Sequence, residues 1–139
     1  MIILDTNVLS EMMRERPDRR VMAWLNRQPQ TSVWITSVTI LEIHFGLELL
    51  GAGNQRAQMT KALEALLVED LGNRVAPFDT AAAQNAAILM ASRRRAGRPV
   101  ELRDTLIAGV ALARHATIAT RNSAHFEDLP IPVVNPWTI

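Results

Sequence analysis

The chain has no cysteine, no tyrosine, one lysine and three histidines in 139 residues. Without cysteine there are no disulfides, thiolate zinc sites, iron–sulfur clusters or cysteine nucleophiles, and the composition suits a reducing, cytoplasmic compartment. His44, His115 and His125 match neither the His-Glu-x-x-His pattern nor another zinc spacing. The six glycines form no Walker loop and no dinucleotide fingerprint, and no Gly-x-Ser-x-Gly elbow occurs, so a nucleotide cofactor or a serine nucleophile is not expected. Three Trp and three Phe are too few to supply a base-stacking platform, and Trp24, Trp34 and Trp137 read as core or interface anchors. An excess of one charge is also lacking. Fifteen Lys plus Arg against fourteen Asp plus Glu leaves +1, so any contact with nucleic acid must be local. The uncharged stretches from Gln28 to Leu41 and from Thr80 to Ser92 are shorter than the ~18 apolar residues of a spanning helix, and Met1 to Asp5 lacks the basic flank of a signal peptide. No membrane association is expected.

What is present is an ordinary globular composition, with 48% hydrophobic and 21% charged residues, and the length suits a single domain over 1–139. Short β-branched segments at Ile2 to Leu4, Val33 to Ile35 and Thr117 to Thr120, with weaker ones at Val75 to Phe78 and Val133 to Val134, predict strands. Between them, Asn54 to Leu71 places Met59, Leu63, Leu66, Leu67 and Leu71 at helical spacing before a Gly72-Asn73 stop. Thr80 to Ala96 and Asp104 to Arg114 also read as helices. Short strands joined by long helices imply mainly parallel pairing, and the expected fold is an α/β three-layer α/β/α sandwich.

In such a sheet ligands bind beyond the carboxyl ends of the strands. Asp5, Asp79 and Asn122 stand just past strands, and with so few other catalytic side chains the carboxylates deserve most weight. Each has an ordinary alternative. Asp5 and Asp104 can cap helices, and Thr39-x-x-Glu42 matches a capping box. Glu42 is nevertheless surrounded by Ile40, Leu41, Ile43, Phe45 and Leu47, and a buried carboxylate needs a partner, a proton or a metal. Converging Asp and Glu oxygens are what Mg²⁺ or Mn²⁺ prefers, and without a cation they repel one another.

Four motifs in order carry a resemblance over essentially the whole chain: Asp5-Thr6-Asn7 after the first strand, Glu42 in Thr36-Ser37-Val38-Thr39-Ile40-Leu41-Glu42-Ile43, Asp104 before Ile107-Ala108, and Ala119-Thr120-Arg121-Asn122 followed by Phe126. The chain resembles a PIN domain, and its closing Asn135-Pro136-Trp137 is similar to that of the VapC and FitB-like toxins of bacterial toxin–antitoxin pairs. The resemblance implies a Mg²⁺- or Mn²⁺-dependent ribonuclease in which Asp5, Glu42 and Asp104 are catalytic metal ligands supported by Thr6, Asn7 and Thr120. Family members often carry a fourth acid where this chain has Asn122, whose amide oxygen brings no charge. RNA as substrate, an antitoxin partner and a homodimer are further implications.

Arg93, Arg94, Arg95 and Arg98 form a basic run that, with Arg121, is a candidate RNA contact; the alternative is a solvated helix end favourably placed against its dipole. Leu9, Met12, Met13, Val21, Met22, Trp24 and Leu25 give an apolar surplus that suits either core packing or a groove for the antitoxin. Two other functions stay open. One is a non-catalytic module with a weakened site. The other is an aspartyl phosphatase, for which Asn7 stands where a second Asp is wanted and Lys61 is the only lysine.

Overall fold

The computed structural model describes residues 1–98 and 100–139. Five strands, β1 (Ile2–Leu4), β2 (Val33–Thr36), β3 (Val75–Ala76), β4 (Thr117–Ala119) and β5 (Val133–Val134), pair in the order β3-β2-β1-β4-β5. All four pairings are parallel, with Ile3 opposite both Trp34 and Ile118. The period of two along each strand separates two cores. Ile3, Trp34 and Ile118 face α5 (Thr80–Arg95) and α6 (Leu102–Ala113), while Leu4, Val33, Ile35 and Ala119 face α1 (Thr6–Met12), α2 (Arg19–Arg27), α3 (Ser37–Leu50) and α4 (Asn54–Ala65). The sheet is therefore covered on both sides, as the alternation of short strands and long helices implies.

Local chemistry sets the helix ends. Asp5, Asp18 and Asp79 cap α1, α2 and α5 with their side chains. The start of α3 departs from the sequence reading. Its cap is Thr36, whose hydroxyl accepts the Thr39 N–H at 3.1 Å, so Thr39 lies inside the helix and Thr39-x-x-Glu42 is not a capping box. The helix expected over Asn54 to Leu71 is regular to Ala65 and closes through a wider π turn over Leu66–Asp70. Helices α5 and α6 pack closely at Gly109, where an added Cβ would lie 2.6 Å from the Ala82 carbonyl oxygen and 2.8 Å from the Ala86 Cβ. The small side chains of α5 permit that approach.

The amino-terminal apolar residues prove to be interior. Leu9, Val21 and Trp24 are buried, with Met12, Met13 and Leu25 packed against them. Exposed apolar side chains include Leu41, Phe45, Leu49, Leu50 and Met59 on α3 and α4, and Ile88 and Met90 on α5. None of the helices among the described residues is long and apolar enough to cross a membrane.

Candidate active site

Strands β1, β2 and β4 are the three inner strands, and the chain leaves their carboxyl ends at Asp5, Ser37 and Thr120. Helix α1 starts directly from β1, α3 directly from β2, and the first turn of α6 reaches the same edge. Asp5, Glu42 and Asp104 thereby line one cleft of about 480 Å³, together with Thr6, Asn7, Asn122 and His125. A larger hollow of about 680 Å³ between the end of α5 and the start of α6 is mostly apolar and has no carboxylate. The three carboxylates named from sequence lie in the smaller cleft.

Asp5 is only 3% exposed and is held on both oxygens. Oδ1 accepts the Thr6 N–H at 2.8 Å; Oδ2 accepts the Thr120 hydroxyl at 2.7 Å and the Asn7 side-chain amide at 3.3 Å. Burial nevertheless pushes its pKa up to about 6, the Thr120 hydroxyl opposing and the charges of Asp104 and Glu42 adding to the rise. Glu42 is raised as well, chiefly by burial, against a hydrogen bond from the Thr6 hydroxyl at 2.9 Å and the Arg103 guanidinium at 3.9 Å. Since the Thr6 hydroxyl proton goes to Glu42, the Thr39 hydroxyl, 3.0 Å away, donates to Thr6. Asp104 lies in the first turn of α6 without capping it, 2.6 Å from His125 Nδ1.

The three acids are thus coupled through the field across the cleft rather than by contact. Among the described residues, no three acid or histidine side chains are gathered tightly enough to grip a metal ion in the arrangement seen. The donor set still fits a hard divalent cation: three carboxylates share one cleft, two of them held above their ordinary pKa by burial and by like charges.

Thr120 also accepts the Asn122 N–H at 3.0 Å, and Asn7 accepts the Arg121 N–H at 3.2 Å, so the polar residues named from sequence form one network beneath Asp5. The basic run divides. Arg93 is 4% exposed and gives its guanidinium to Asp128 at 2.9 and 3.0 Å, to Thr105 at 2.8 Å and to the His125 carbonyl at 2.7 Å, which removes it as an RNA contact. Arg98 pairs with Glu127. Arg94 and Arg95 are exposed on α5 but do not line the cleft, whereas Arg121 does. Asp79 serves as a cap and as partner to Arg114, away from the cleft. Sequence reasoning left Arg103 and the buried Glu11, which accepts Arg14 and the Asp18 N–H, unassigned. A cation adjoining Asp104 in the chain was the only sign of the first, and nothing marked the second.

The family model described as PIN domain matches residues 2–131. The chain belongs to the PIN-domain family. It is 37% identical over 137 residues to the VapC ribonuclease Y4jK of Sinorhizobium fredii, covering 99% of this chain and 98% of that one. It is 33% identical to the toxin FitB of Neisseria gonorrhoeae, covering 99% of each. The solved structure of FitAB bound to an IR36 DNA fragment contains a chain that superposes with a TM-score of 0.89 at 32% identity, covering 100% of this chain and 97% of that one.

Proposed function

We propose that this PIN domain is a Mg²⁺- or Mn²⁺-dependent endoribonuclease that acts as the toxin of a toxin–antitoxin pair. The observation that carries the reading is the convergence of Asp5, Glu42 and Asp104, from three separate elements, in one cleft at the carboxyl edge of the sheet. The relatives named as a VapC ribonuclease and as the toxin FitB support it.

Asp5, Glu42 and Asp104 would hold the cation, which when bound supplies a water of lowered pKa and neutralises charge on the phosphodiester. The protein's own groups prepare that site. Thr120, Asn7 and the Thr6 N–H fix the Asp5 oxygens, the Thr6 hydroxyl fixes Glu42, and His125 fixes Asp104. Arg103 offsets part of the Glu42 charge. Asn122 contributes no negative charge, which favours one tightly held ion over two.

An apolar groove of about 400 Å³ adjoins the cleft at Thr6, Ser10 and Glu42 and is walled by Met13, Ile43, Leu47, Leu50 and Met59. It offers the antitoxin an apolar seat next to the acids. The apolar residues of α1 and α2, by contrast, are mostly core.

The test is cleavage of an RNA panel with Mg²⁺ or Mn²⁺. Chelator, Asp5→Asn and Asp104→Asn should each reduce cleavage by more than about 100-fold. Activity persisting in both variants overturns the assignment. Among the described residues no three-acid grip is preformed, which favours a second reading, a non-catalytic module. Absence of heat on titration with millimolar Mn²⁺ would establish that alternative.

A further inference from the structure

The cleft is acidic, and two of the arginines at its edge are already engaged. Arg14 pairs with Glu11, and Arg103 sits 2.9 Å from Glu101 and 3.9 Å from Glu42. Arg121 differs: it is exposed, lines the same cleft, and among the described residues has no carboxylate within ion-pairing distance. Its guanidinium lies 5.1 Å above the centre of the Trp137 ring, which is itself 4% exposed and anchored in the core beside β1 and β4.

The last residues of the chain build this arrangement. The Asn135 side-chain amide donates to the Arg121 carbonyl at 3.3 Å, while its Oδ1 accepts the Trp137 N–H at 2.9 Å. The Arg121 N–H is held by Asn7 at 3.2 Å, next to the support of Asp5. Backbone and side chain of Arg121 are therefore both tied down, while among the described residues no carboxylate neutralises its charge. A stacked guanidinium keeps its hydrogen-bonding edge free, and its planar fork matches phosphate oxygens.

We propose that the Asn135–Trp137 turn is a bracket that holds Arg121 over the Trp137 ring at the mouth of the acidic cleft, where the guanidinium takes a backbone phosphate of the RNA substrate. Asn135 and Trp137 are positioning residues, and Arg121 is the contact. The inference rests on the ribonuclease reading and adds to it the group that draws a polyanion toward three carboxylates. It also explains how a chain of net charge +1 binds nucleic acid: the cation is concentrated at one point and not spread along the α5 run.

The experiment measures binding of a labelled single-stranded RNA to the full chain in EDTA, where cleavage is blocked, across a range of salt. Arg121→Met should weaken binding about 5- to 10-fold and flatten the slope of log affinity against log salt by about 0.7, the value for one phosphate contact on a single strand. Arg121→Lys should keep the slope while losing part of the affinity, since charge survives and the stack does not. Asn135→Ala, which leaves Trp137 in the core, should fall between wild type and Arg121→Met. In turnover assays with Mg²⁺, Arg121→Met should raise KM with kcat nearly unchanged, whereas Asp104→Asn lowers kcat. Unchanged affinity and slope in Arg121→Met, or a weaker affinity with an unchanged slope, overturn the phosphate contact while leaving the ribonuclease reading intact. Folded wild type that neither binds nor cleaves RNA overturns both.

Discussion

At the scale of the residue, Asp5 carries the tension of the site. It accepts three hydrogen bonds, yet burial and two neighbouring acids lift its pKa from 3.8 to about 6. The native state therefore binds this proton more tightly than the unfolded chain. Its stabilising effect is complete below the unfolded value and is lost as pH rises through about 6, and the difference of about two pH units corresponds to about 3 kcal/mol. In chelator, wild type should lose about 1 kcal/mol relative to Asp5→Asn between pH 5 and 7.5, read by denaturant unfolding of both proteins. Added Mg²⁺ at pH 7.5 should restore wild type and leave the variant unaffected. Asp5, Thr6 and Asn7 were legible because their placement is local, a polar triplet leaving a buried strand. Arg93 was not. A guanidinium at the end of a charged run looks solvated until the fold brings Asp128 and Thr105 around it, and pairing at that distance leaves no mark in the local sequence.

At the scale of the element, the five strands and the alternation of layers could be read from β-branched clusters and helical spacing, since one residue in two, or in three to four, must face a core. The start of α3 could not. Thr36 and Thr39 are both plausible caps, and what decides between them is the continuation of β2 to Thr36 against β3. Consequently Glu42 belongs to the second turn of α3 and finds its hydroxyl partner on α1, at Thr6. Helices α5 and α6 approach closely at Gly109, where a methyl would meet the Ala82 carbonyl oxygen at 2.6 Å. Gly109→Ala gains about 1 kcal/mol in helix propensity but forces the helices apart, at a cost of about 1–3 kcal/mol. A net loss of stability, with a lowered Tm in a thermal melt, is the expected result.

At the scale of the whole molecule, α3 shows two different apolar faces. Ile43, Leu47 and Leu50 turn toward the groove beside the cleft. Leu41, Phe45 and Leu49, spaced by four residues and 60%, 53% and 72% exposed, lie on the other side of the helix at about 100° per residue. The second stripe is where the expected homodimer would be built. Phe45→Glu should convert the dimer to monomer in light scattering while leaving capture of the antitoxin intact, and a wild type that is monomeric at micromolar concentration removes the homodimer. Sequence indicated an apolar surplus but located it on α1 and α2, because hydrophobic residues in short amphipathic helices look alike whether they cover a sheet or face solvent.

Parallel pairing throughout gives the sheet a polarity that matters at the bench. Every strand begins at one rim and delivers its chain to the other, so Met1, half exposed at the head of β1, lies a full strand length from Asp5. Ile139 follows two residues after the indole beneath Arg121. A fluorophore or affinity handle fused ahead of Met1 should be silent in nuclease assays, whereas the same appendage after Ile139 would crowd the doorway through which a polynucleotide must pass.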